Sequence, residues 1–477
     1  MTSTRNKTLR VQPRQDIPRH PSTKIRDGRL DENQEQLDHM ERLIEEYSRL
    51  PPGPSTPSTT RRRDQSSTSS ILLTGSTGNL GSDLLASLLH DPSVTKIYAL
   101  NRPSSQGPAS ERVHAQFAAK GLDVAALKSE KLVFIEGDTT QPGLGLGDSL
   151  YTEISASISM IIHNAWSINL QQDLRFFLPN IVGLRNLVNL GHASSSASTL
   201  RFVFISSFFA AQSWNVRYDA RPVPEEVLLD TAVGCGIGYG ASKHVAERIV
   251  ARSGLNGTTL RIGQLCGRHA NGHWSTSEWV PLAVNASITL GTLPSFAGVS
   301  EFLYGDVSTV ANGSNSKFLP FIPLDVTAKS IHEVLSSAHP LPDVLNFSHP
   351  RPFRWTLLND AVFEVISAQK GYYPLRSVSI SEWVVQAEHS EQLRQRRHPV
   401  MKILPLLRSL ALQDDDVLRK GTQDTEHLPR PRLSTSKAQD HSSTLRGLEQ
   451  VSPADAKRWV EYWISHKHFQ SALRQAD

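Results

Sequence analysis

Tyr239 and Lys243 stand four residues apart in GYGASKHVAERIV, and the apolar run RFVFISS upstream closes on Ser206 and Ser207. On a helix, a spacing of four puts two side chains on one face, about 6 Å apart at Cβ. Val245, Ala246, Ile249 and Val250 mark this segment as helical. A phenol keeps its proton to about pH 10 and is a poor donor to a carbonyl oxygen. A neighbouring ammonium stabilises the phenolate and brings that pKa toward working pH. The spacing therefore predicts that Lys243 lowers the pKa of Tyr239, while Ser207 hydrogen-bonds a carbonyl oxygen and holds it beside the phenol. This is acid–base chemistry at a carbonyl.

Such a pair needs a scaffold and a reactant, and ILLTGSTGNLG (71–81) supplies signs of both. Ile71, Leu72 and Leu73 read as the end of a buried strand, and Leu84, Leu85, Leu88 and Leu89 share one face of a following helix. Between them, Gly75 permits a tight turn, Gly78 lets the backbone approach a pyrophosphate, and Gly81 lets the helix pack close to the strand. The helix N-terminus offers unpaired N–H groups to phosphates. The glycine spacing is GxxGxxG rather than GxGxxG. A second strand, KIYALNR, ends in Asn101 and Arg102, where an NAD-binding unit would carry an acidic residue for the ribose. An arginine suits a 2′-phosphate, so NADP(H) is the expected cofactor.

Strands and helices then alternate, which predicts an α/β fold with a doubly wound, Rossmann-type parallel sheet. KLVFIEGD ends at Asp138, SMIIHNAW at His163, Asn164 and Ala165, and RFVFISS at Ser207. Carboxyl ends of such strands line the ligand crevice, so Asp138, Asn164 and Ser207 belong to the rim that carries the glycine loop. The expected division is 1–69 as a disordered or linker region with one amphipathic helix (33–50), 70–265 as the nucleotide-binding domain, and 266–477 mainly as a smaller substrate-binding domain with a flexible excursion at about 413–443. Trp274, Trp279 and Phe321 either line an acyl channel or belong to the core. Glu225 and Glu226 read as solvated loop charge. Trp459, Tyr462 and Trp463 anchor a final helix.

The whole chain narrows the class further. Its 477 residues can bury a large core. The net charge of +4 is small, and neither Arg61–Arg63 nor Arg394–Arg397 has interleaved aromatics, so nucleic-acid binding is not expected. Cys235 and Cys266 are the only cysteines, which excludes a disulfide framework and a CxxC metal site. No apolar run is long enough for a transmembrane helix, and the N-terminus lacks the apolar stretch of a secretory signal. A cytoplasmic, monomeric protein without a metal is expected.

Glycine loop, Ser-Ser strand end and YxxxK, in that order, resemble the extended short-chain dehydrogenase/reductases. The finer pattern is similar to their thioester reductase branch, which terminates nonribosomal peptide synthetases, carboxylic acid reductases and aminoadipate reductases. LLTGSTGNLG, FIEGDTTQPGLGL, IIHNAWSINL, FVFISSFFAA, GYGASKHVAE and FIPLDVTA carry the resemblance, which spans about Ser70 to Phe469. It implies that Gly75, Thr77, Gly78, Leu80 and Gly81 cradle the pyrophosphate, that Arg102 takes the 2′-phosphate, and that Asp138 and Thr139 meet the adenine. Asn164 and Ala165 would lie along the cofactor, which Tyr239 and Lys243 also touch, and Ser207, Tyr239 and Lys243 would be the catalytic trio. His244 stands where an aromatic residue is usual, Ile262 where proline is usual, and Ser207 where threonine is common. The implied reaction is NADPH-dependent reduction of an acyl thioester, on a phosphopantetheinyl carrier or on CoA, to an aldehyde and on to an alcohol in a second round, within secondary metabolism. No adenylation or carrier motif precedes the reductase, so the substrate is expected to arrive on another molecule. Two other readings stand beside it: reduction of a free aldehyde or ketone, and a non-catalytic NADP-binding relic of a larger synthetase.

Overall fold

The computed structural model describes residues 24–49, 69–218, 221–296, 318–337, 340–369, 375–420, 431–466 and 469. Helix α1 (Lys24–Tyr47) comes first. It begins nine residues before the expected start and lies partly in the stretch expected to be disordered. Met40, Leu43 and Ile44 are buried in one cluster with residues of the Gly238–Arg252 helix. The expected linker over 51–69 lies outside the described residues apart from Ser69.

The nucleotide-binding part is a seven-stranded sheet, parallel throughout. Its strands are β1 (Ser69–Thr74), β2 (Val94–Asn101), β3 (Leu132–Glu136), β4 (Met160–His163), β5 (Arg201–Ser207), β6 (Asn256–Ile262) and the strand Val344–Phe347. Across the sheet the order is Val344–Phe347, β6, β5, β4, β1, β2, β3. Runs such as Ile71–Thr74 and Phe202–Ser207 are buried along their whole length, as strands covered on both faces must be. Helices α2 (Asn79–His90) and α3 (Ala109–Lys120) cover one face, and the Leu178–Ala193 and Gly238–Arg252 helices cover the other. The strand order reverses between β1 and β4, and a crevice opens there beyond the carboxyl ends.

Two boundaries differ from expectation. The sheet does not end at 265: after β6 the chain leaves to build much of the substrate region and returns at Val344 to pair with Thr259. A parallel partner needs a crossover, and this crossover carries inserted structure. The polar stretch 413–443 is not a free excursion where it is described. Residues 413–420 belong to the Leu404–Lys420 helix, Leu433 bridges Val223, and Ser436–His441 forms a helix with Ala438 fully buried. The anchor is Glu225, which is 3% exposed rather than solvated and accepts backbone N–H groups from Asn346 (3.0 Å), Ala438 (2.9 Å) and Lys437 (2.5 Å). Polar composition here serves a buried carboxylate at a helix start, a partner that composition alone does not reveal.

The second core holds Trp274, Trp355, Trp383, Trp459 and Trp463. As expected, the final helix, Pro453–Ile464, docks there, with Trp459 and Trp463 fully buried and a capping box between Ser452 and Asp455 at its start. No helix among the described residues is long and apolar enough to cross a membrane.

Candidate active site

The glycine loop is drawn tight by its neighbours. Gly75 adopts φ +73°, and a Cβ there would sit 2.9 Å from the backbone of Ala165; at Gly81 a Cβ would meet the Gly75 carbonyl oxygen at 2.0 Å. Asn164 Nδ2 donates to that same carbonyl at 3.1 Å, and Thr74 Oγ1 accepts the N–H groups of Asn164 and Ala165. Asn101 turns inward, its Oδ1 accepting the Thr77 N–H and its Nδ2 donating to Ser76. Gly78 stands before α2 without a side-chain cap. A loop closed to side chains, followed by an uncapped helix start, fits a dinucleotide pyrophosphate. Gly75, Thr77, Gly78 and Leu80 line a cleft of about 1940 Å³, whereas Gly81 lies behind the loop.

The same cleft is lined by Arg102, Asp138, Thr139, Asn164 and Ala165 and, across the sheet, by Ser207, Tyr239 and Lys243. Arg102 is exposed at the rim, and its carbonyl accepts a bond from Arg112, a second cleft-lining arginine that strand-end reasoning missed. The signal for Arg112 lies one helix later, where no spacing rule points to a strand end. Asp138 Oδ1 accepts both the N–H and the hydroxyl of Thr140, shaping the turn after β3. Asn164 also has loop bonds of its own and orders the glycine turn.

Ser207 ends β5, and its Oγ accepts the Phe209 N–H at 3.3 Å. The Tyr239 phenol and Ser207 line the same cleft, and the Tyr239 ring lies between Phe177 and Phe209. Lys243 donates to the Ile205 carbonyl at 2.7 Å and stands over the rings of Trp166 (4.4 Å) and Phe204 (4.7 Å). Its Nζ lies 6.0 Å from the Tyr239 ring centre. Charge does not follow the expectation from spacing. Burial pushes the Tyr239 phenol up to about 12, the Ser207 side chain only opposing it, and burial holds Lys243 well below its ordinary value despite Glu247. Both groups leave water on folding, and desolvation disfavours each charged form.

Beneath the trio, Glu247 accepts the Arg261 guanidinium through Nε and Nη2 (2.7–3.0 Å) and the Ser206 hydroxyl (2.5 Å). His244, fully buried and held down to about 4 by burial, meets the Ala210 carbonyl at 3.1 Å and so pins the turn after Ser207. The loop before Tyr239 is clamped by two glutamines. Gln36 of α1 exchanges two bonds with Gly236 (2.9 and 2.8 Å), and Gln212 bonds Gly234 and Ile237. Neither glutamine belongs to a motif. Glu278, whose carboxyl burial pushes up to about 7, lines the cleft and accepts from Asn79 and Trp274.

The family described as male sterility protein, an NAD-binding family, matches residues 73–331, more than half of the chain. Adenylate-forming reductase Nps9 of Serpula lacrymans is 40% identical over 405 residues, which are 84% of this chain and 35% of that protein. Carboxylic acid reductase of Neurospora crassa is 29% identical over 452 residues, 91% of this chain and 38% of that protein. The chain thus spans a little over a third of the length of these curated relatives. Among solved structures, the terminal R domain from the myxalamid PKS-NRPS pathway superposes with a TM-score of 0.65 at 21% identity, covering 88% of this chain and 97% of that one. A thiolation-reductase di-domain from an archaeal non-ribosomal peptide synthetase gives 0.61 at 17% identity, over 84% and 76%. At these identities the structures bear on the fold alone, and the fold is that of R domains.

Proposed function

The chain belongs to the male sterility protein family of NAD(P)-binding reductases, and from that premise we propose that it reduces an acyl thioester to an aldehyde with NADPH. The observation that carries this reading is that one cleft is lined by the glycine loop, two arginines at its rim and the Ser207–Tyr239–Lys243 trio. Gly75, Thr77, Gly78 and Leu80 hold the pyrophosphate, Gly81 letting the loop close behind them, with Arg102 and Arg112 toward the 2′-phosphate, Asp138 and Thr139 toward the adenine, and Asn164 and Ala165 along the cofactor. When bound, the nicotinamide supplies the hydride. The thioester oxygen sits between the hydroxyls of Ser207 and Tyr239, which line the same cleft, so two donors face the charge that develops on it. Tyr239, protonated because it is buried, gives its proton to that oxygen. Lys243 lies against the Ile205 carbonyl and the faces of Trp166 and Phe204, and the phenolate so formed favours its ammonium form against the burial that otherwise disfavours it. In the collapse, the hydroxyl proton returns to Tyr239, the C–S pair leaves on sulfur, and an aldehyde remains.

The relatives' names, adenylate-forming reductase and carboxylic acid reductase, support an activated acid as the substrate. A phosphopantetheinyl carrier or CoA delivers it to a cytoplasmic monomer. The test follows NADPH absorbance with a pantetheine thioester and, separately, the matching aldehyde. Thioester-dependent consumption should fall about 10²–10⁴-fold in Tyr239→Phe, the usual worth of a general acid. Turnover confined to the aldehyde would replace this reading with a carbonyl reductase.

A further inference from the structure

A second cavity, of about 320 Å³, opens off the cleft. Phe208, Gly263, Gln264, Trp279 and Leu410 line both spaces and so form its mouth. That mouth adjoins the reacting centre: Phe208 follows Ser207 directly, and Gly263 follows Ile262, the sheet partner of Ser207. Resting on the thioester reading above, we propose that this cavity receives the acyl group, and that it selects a compact, ring-bearing acyl group with a polar substituent at its far end.

Three observations set that class. The space is about a sixth of the volume of the cleft it opens from, so a single substituted ring with a short arm fits it, while a long alkyl chain has to turn back into the cleft. The walls are aromatic: Phe296 and Trp355 meet edge to face at 4.7 Å, as do Trp279 and Phe321 at 6.1 Å. A ligand ring gains more there than its buried area alone, through the same offset and edge-to-face contacts. The wall away from the cleft is polar, with Ser434, Thr435, Ser436 and Gln439. These side chains bond one another, Gln439 Nε2 donating to Thr435 Oγ1 at 2.9 Å and the Ser434 and Ser436 hydroxyls meeting at 3.4 Å, and a substituent that hydrogen-bonds can join that network where a bare apolar end cannot.

That far wall is built into the fold. Val223 donates to the Arg432 carbonyl at 2.7 Å and accepts from the Ser434 N–H at 3.0 Å, while Glu225 holds the backbone of Lys437 and Ala438. The cavity depth is therefore a property of the fold, set by residues about 200 positions from those that hold them.

The experiment uses the full chain with NADPH and pantetheine amides in which nitrogen replaces the thioester sulfur. Binding is followed by tryptophan fluorescence, since Trp279 and Trp355 line the cavity. The benzoyl amide should quench saturably, and Leu433→Trp, which fills the space, should weaken it at least tenfold while NADPH binding reports an intact fold. Gln439→Leu, a milder change, should erase about a fivefold preference for 4-hydroxybenzoyl over benzoyl. Benzoyl quenching indifferent to Leu433→Trp, or a hexadecanoyl amide binding as well as the benzoyl one, overturns the assignment. Amide binding that responds to both variants in a protein that reduces no thioester supports the cavity and removes the thioester reading instead.

Discussion

Arg102 lies exposed at the cleft rim with Arg112 beside it, and each residue's part in cofactor choice can be measured alone. Arg102→Ala should raise the KM for NADPH about tenfold, the ~1.5 kcal/mol of one charge-assisted hydrogen bond, and leave that for NADH unchanged. Equal effects on both cofactors would show that Arg102 does not read the 2′-phosphate. Arg102 was legible because it replaces an acid at a strand end. Arg112 was not, since only the packing of α3 brings it to the same rim. Tyr239 and Lys243 divide in the same way. Their spacing put both on one helical face, but the direction of the phenol's shift depends on how completely Phe177 and Phe209 exclude water, and spacing carries no information about that.

The helix that bears Tyr239 is positioned by elements far from it in the chain. Helix α1 covers it with Met40, Leu43 and Ile44 and reaches the preceding loop through Gln36, whose two bonds hold Gly236 at φ +138°. Gln36→Ala should cost about 1–3 kcal/mol of stability, the net worth of two hydrogen bonds. It should lower kcat about 3- to 10-fold with the KM for NADPH unchanged, because the loop leads into Tyr239 and not into the glycine turn. An unaltered kcat in a variant with a lowered melting temperature would reduce Gln36 to a stabilising contact. The amphipathic spacing of α1 was readable, as was the apolar stripe of α2. The docking site of α1 was not, because a stripe states only that a face is buried and leaves open what buries it.

At the scale of the molecule, strands β5 and β6, the helix that bears Tyr239 and the 224–226 loop meet at a buried ion pair. Arg261 of β6 is fully buried, Glu247 nearly so, and the guanidinium also donates to the Pro224 and Glu226 carbonyls. Glu247→Ala leaves that charge unpaired and should destabilise the protein by about 3–5 kcal/mol. Thermal or denaturant unfolding measures this, and a loss below about 1 kcal/mol would mean that water or another group replaces the carboxylate. Glycines and apolar runs were enough in the sequence to determine a doubly wound sheet and a nucleotide loop between its first strand and helix, because they depend on local backbone geometry. The tertiary structure alone decided that the sheet closes with Val344–Phe347, that Glu225 pins 431–438 as a wall, and that burial keeps the proton on Tyr239. Each depends on which distant groups meet and how far they exclude water, and that is a property of the packed chain.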